Sequence, residues 1–194
     1  MNINSTKLSS LEENDESRYI ANVWNDVNYA FSLAKADKKQ YYRYKDDEKI
    51  KNGEYVSELS TYQMDEIRIM SILERLGFSL DEVGTYLYKE LVINVYSDIE
   101  KTGENLLEEL KNPYSSYYQQ IARGYYEMGV KTFHKYINSA IESIDETKVD
   151  ESLVETIFGN DIVNSGYGIR AYEIAAYMVR IDKSKSHEEL LEKK

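Results

Sequence analysis

Apolar residues return every three or four positions along most of this chain, and a single proline, Pro113, interrupts its 194 residues. That period gives each segment one apolar stripe on a helix, whereas strands would need strict alternation. Ile20, Val23, Trp24, Val27, Phe31 and Ala34 predict an amphipathic helix from Ser17 to about Lys35. Ile67, Met70, Ile72, Leu73 and Leu76 predict a second, opened by the capping box Ser60 to Gln63 and closed at Gly77. A third follows through Val83, Leu87, Leu91, Val92, Val95 and Ile99. Gly103 interrupts it, and Leu106, Leu107 and Leu110 continue before Asn112-Pro113. Val149 to Phe158 reads as a short helix closed by Gly159. The loop 164–169 then leads into a last helix through Ile174, Ala175, Met178 and Val179. The fold class is all-α.

One stretch breaks the period. Tyr42 and Tyr44 alternate with polar residues, Asn52-Gly53 is a turn dipeptide, and Tyr55-Val56 follows. A short hairpin near residues 40–59 is one reading, and a helix from Tyr41 to Ile50 is the other. The chain thus divides into an N-terminal helical lobe over 1–65, a helical domain over 66–181 and a charged tail over 182–194.

The stretch from Ser116 to Ile144 carries the functional signal. Ser116 with Gln119 reads as a capping-box start, with Ile121, Ala122 and Tyr125 on one buried side and glycines 124 and 129 bracketing a turn. A second helix then sets Val130, Phe133, Ile137, Ala140, Ile141 and Ile144 on one stripe. Its other face carries Lys131, Thr132, His134, Lys135, Asn138 and Ser139, all able to donate hydrogen bonds. Two short helices around a glycine turn form the pattern of a helix-turn-helix, which a plain helical hairpin can also produce. The net charge of −11 opposes non-specific nucleic-acid binding, but residues 111–145, with 4 basic and 3 acidic side chains, escape the acidic excess.

Several residue groups keep one register with a known family: Leu76-Gly77-Phe78, Gly84, Tyr86-Leu87-Tyr88-Lys89-Glu90 and Val95-Tyr96-Ser97-Asp98-Ile99-Glu100. Ile121-Ala122, Ala140-Ile141-Glu142, Ile157-Phe158-Gly159 and Glu173 extend that register. Together they resemble the DNA-binding effector domain of the master sporulation response regulator of endospore-forming bacteria, over roughly residues 66–181. The resemblance implies a dimer on double-stranded DNA, a reading helix in the major groove and contact with RNA polymerase sigma factor. The chain departs from that family between Glu100 and Ile121, where it is several residues longer, and at the motif turn, about one residue longer. Thr132, Lys135 and Asn138 stand where the family has arginines, and His134 where it has glutamate. Residues 1–65 are too short for a phospho-receiver domain.

Chemistry of other kinds finds little footing. Two histidines, His134 and His187, give no metal-ligand spacing and no nucleophile–base pair, so no catalytic residue, metal or cofactor is expected. Asp81/Glu82 and Glu108/Glu109 read as solvated faces, and Gly166-Tyr167-Gly168 as a helix-entry loop. No run is long and apolar enough to span a membrane, and the absence of cysteine suits the cytoplasm. Two functional classes remain. One is a receiver-less transcription regulator with Lys131, Thr132, His134, Lys135, Asn138 and Ser139 toward DNA. The other is an acidic helical module that binds a protein partner such as a regulator, polymerase or nuclease.

Overall fold

The computed structural model describes residues 32–47, 56, 58–103, 105–126, 128–159 and 166–192, with side chains through 184 except those of 125 and 126. Among these residues there is no strand. Helices run over 32–44 (α1), Thr61–Arg75 (α2), Val83–Thr102 (α3), Leu107–Lys111 (α4) and Ser116–Tyr126 (α5). Val130–Glu142 (α6), Glu151–Phe158 (α7) and Tyr167–Glu192 (α8) complete the order, with one 3-10 turn at Glu146–Lys148. The all-α class expected from the apolar period is the observed one. No described helix is long and apolar enough to cross a membrane.

The domain is built around α3. Residues on every side of this helix are buried, from Val83 through Ile93 without a break and again at Val95 and Tyr96. A helix with no solvated face must be sheathed by others, and α2, α5, α6 and α8 all pack on it. Two glycines permit the tightest approaches. At Gly84, an added Cβ would collide with the backbone carbonyl of Tyr136 in α6. At Gly168, it would collide with the Tyr118 hydroxyl and the Leu110 carbonyl. Ala171 and Ala175, both fully buried, give α8 a similarly narrow face.

Caps fix the ends. Ser60 and Gln63 form the reciprocal capping box that the sequence predicts. At the other end of α2 Gly77 has φ +84°, and Phe78 N–H donates to Leu73 O and Gly77 N–H to Glu74 O. That is a Schellman ending, which needs the left-handed conformation glycine adopts without strain. Asp150 accepts from Leu153 N–H to start α7 and meets Arg75 Nη2 at 2.7 Å, joining α7 to the end of α2. Both contacts hold the Asp150 carboxyl below its usual range.

Other expectations are corrected. Ser116 does not cap α5: it is already the first helical residue, and Gln119 Nε2 donates to Tyr114 O. Gly124 lies inside α5, which continues to Tyr126, so it does not bracket the turn with Gly129. Residues 167–169, expected in a loop, form the first turn of α8, which continues through most of the tail to Glu192. In the 40–59 stretch the described residues are helical through 44, while 48–55, including Asn52-Gly53, lie outside the described residues. The predicted helix from Ser17 is described only from residue 32 on.

That first helix is docked. Ala34 and Tyr41 enter a second apolar cluster with Leu59, Ile67, Met70, Leu80 and Tyr86. Around it lie polar ties: Tyr41 donates to Glu74 at 2.6 Å, and Lys38 pairs with Asp81.

Candidate nucleic-acid interface

The apolar stripe of α6 decides which way its polar face points. Phe133, Ile137 and Ala140 are fully buried, with Val130, Tyr136 and Ile141 half-buried beside them. The opposite side is left to solvent, and Lys131, Lys135, Asn138 and Ser139 are all exposed there. Lys131, Lys135 and Asn138 lie at i, i+4 and i+7, a strip about 10 Å long at 1.5 Å per residue. Among the described residues neither lysine has a carboxylate within ion-pair distance, unlike Lys38, Arg68, Arg75, Lys89, Lys111 and Lys148. Gly129 caps the helix without a side chain, so the positive end of α6 opens beside Lys131. Glu142 is the carboxylate on this helix, at its far end.

Thr132 and His134 sit differently. Thr132 is half-buried, its N–H donating to Gly129 O at 3.0 Å. His134 is half-buried too, and both its ring nitrogens are engaged within the protein. Nε2 lies 2.6 Å from Pro113 O, and Nδ1 meets the Tyr167 hydroxyl. Tyr118 stands edge-on to the imidazole at 5.0 Å between centroids, and Tyr167 is tilted at 5.6 Å. The Tyr118 hydroxyl donates to Leu110 O at 2.7 Å. Of the tyrosines around this helix pair, any of which could stack on a base if exposed, Tyr118 is core, Tyr117 and Tyr136 are half-buried, and Tyr114 is 69 % exposed.

A second polar centre escaped the sequence reading. Lys89, fully buried in the middle of α3, places its ammonium 2.7 Å from Asp37, 2.5 Å from Glu66 and 3.0 Å from Glu90. Tyr62 donates to the other oxygen of Glu90 at 3.1 Å. A cavity of about 10 Å³, room for about one water, is lined by Asp37, Gln40, Tyr41, Glu66 and Lys89. Burial pushes the Glu66 carboxyl up against the pull of Lys89. Among the described residues these are the three carboxylates spaced closely enough to share a cation, and the lysine already serves as theirs. The signal was present in the sequence: Lys89 lies on one helical stripe with Tyr86, Ile93 and Tyr96, so its head group had to find partners inside.

A related cluster holds α8 to α2. Arg68 contacts Asp182 at 2.7 Å and Asp65 at 3.0 Å, and Tyr96 donates to Asp182 at 2.8 Å. Burial pushes the Asp65 carboxyl up to about 6, ahead of the opposing attraction of Arg68.

Comparison with protein-family models, curated proteins and solved structures finds no match to this chain. The functional reading therefore rests on the residues and their geometry.

Proposed function

We propose that the chain is a DNA-binding regulator in which α5 and α6 form a helix-turn-helix and α6 enters the major groove. One observation carries this reading. The buried Phe133, Ile137 and Ala140 fix the rotation of α6 so that Lys131, Lys135, Asn138 and Ser139 line its solvent face, with no carboxylate among the described residues paired to either lysine. A strip about 10 Å long matches a groove about 12 Å wide. Asn138 offers the amide that pairs with adenine N6 and N7, and the lysines reach phosphates or a guanine edge. The uncapped start of α6 adds N–H groups suited to a phosphate. The resemblance to the sporulation effector domain supports the same role for this helix, together with a dimer on DNA and contact with sigma factor.

Fluorescence anisotropy on a random-sequence duplex tests the reading. The wild type should bind at low salt and weaken as salt rises. Changing Lys131 and Lys135 together to Ala should flatten the salt slope by about two units, one per lost phosphate contact. A wild type that binds no duplex at low salt refutes it. The net charge of −11 favours the alternative that would then take over: an acidic helical module for a protein partner with a basic groove.

A further inference from the structure

Both ring nitrogens of His134 find partners within the protein. Pro113 O can only accept, so Nε2, at 2.6 Å from it, carries a ring proton. Nδ1 meets the Tyr167 hydroxyl, a group that can donate or accept. Both edges of the ring are thus used inside the protein, leaving it nothing to offer a base. The ring is boxed by Tyr118, Tyr167 and Phe133, whose centroids lie 5.0, 5.6 and 6.0 Å away. Its two partners come from elements far apart in sequence: the segment between α4 and α5, and the first residue of α8. The Tyr118 hydroxyl, bonded to Leu110 O, and the close approach of Gly168 to both bring α4, α5 and α8 together.

We propose that His134 is a positioning residue of the DNA-reading helix: a clasp that fixes α6 against Pro113 and Tyr167 instead of a contact to bases or phosphates. This rests on the DNA-binding reading of α6 and refines it. Sequence discrimination then falls to Asn138, with Lys135 and Lys131 beside it, and Tyr167 becomes a determinant of DNA affinity although its hydroxyl is directed at the imidazole.

A double-mutant cycle on duplex binding tests the clasp, using the full chain at a temperature where circular dichroism shows every variant folded. Tyr167→Phe removes only the hydroxyl and should weaken binding about five-fold, the loss of roughly one neutral hydrogen bond. Its salt slope should match that of the wild type, because no phosphate contact is lost. His134→Ala should weaken binding at least as much, and the double variant no more than the worse single one. Selection from a randomised duplex library should return the same preferred sequence for His134→Ala as for the wild type. The clasp is overturned if Tyr167→Phe binds like the wild type while His134→Ala relaxes one base position or lowers the salt slope. A wild type that binds no duplex overturns the regulator reading itself, and the positioning role with it.

Discussion

Replacing Lys89 by Met keeps the length and apolar stem of the side chain and deletes one charge. The deletion leaves Asp37, Glu66 and Glu90 with carboxylate oxygens within 4.8 Å of one another and no cation between them. At an effective dielectric of about 20, each such pair of charges repels by about 3.5 kcal/mol. The three therefore cannot all stay ionised in the folded protein. The cheaper response is to take up a proton. For a carboxyl with an ordinary pKa near 4.3 this costs about 4 kcal/mol at pH 7 and about 1 kcal/mol at pH 5. The expected loss at pH 7 is thus about 4 kcal/mol, within the range for breaking a buried ion pair from one side. The sign of the pH dependence follows. The folded variant holds a proton that the unfolded chain lacks, so stability rises on acidification, by about 1.4 kcal/mol per pH unit between pH 7 and 5. Urea unfolding followed by circular dichroism at pH 5, 6 and 7, on wild type and variant, measures both quantities. Adding Glu90→Gln to the variant should recover part of the loss at pH 7. A destabilisation under about 1 kcal/mol, or one equal at pH 5 and 7, would refute the reasoning.

Two further outcomes follow from the packing. Asp65 has a folded pKa of about 6, above its unfolded value, so the stability tied to its proton is complete below about pH 4 and lost as pH rises through 6. Asp65→Asn should therefore improve relative to wild type by about 2 kcal/mol between pH 4 and 7.5, and parallel pH–stability curves would contradict this. Gly84→Ala forces a methyl against the Tyr136 carbonyl and should cost about 3 kcal/mol by thermal unfolding. If duplex binding depends on the seating of α6, that variant should also bind more weakly at temperatures where it is folded.

Much of the architecture was legible because its causes are local. The apolar period marked helices at α2, α3, α4, α6 and α7, and Gly77, Gly103, Pro113 and Gly159 marked the ends of α2, α3, α4 and α7. The Ser60–Gln63 box formed as expected because both partners lie within one turn. Ser116 and Gln119 have the same spacing, yet α5 begins at Ser116 and Gln119 turns to Tyr114. A capping pattern permits a start without enforcing its register. The run from Gly166 looked like a loop on its glycines, but Gly168 is helical, and glycine is needed there because a Cβ would collide with Tyr118 and Leu110.

By itself, then, the sequence determined the helices, their apolar faces and the donor-rich side of α6, since each depends on residues within a turn or two of one another. The tertiary structure decided what the polar residues on those helices do. Lys89 is an inward ion-pair centre because Glu66 and Asp37, 23 and 52 residues away, converge on it. His134 faces the protein because Pro113 and Tyr167, 21 and 33 residues away, close on its two nitrogens. Lys131, Lys135 and Asn138 share its helix but meet no such element among the described residues and are exposed. A side chain's period says which face of the helix it occupies; whether a partner waits at that face is set by segments that only folding brings near.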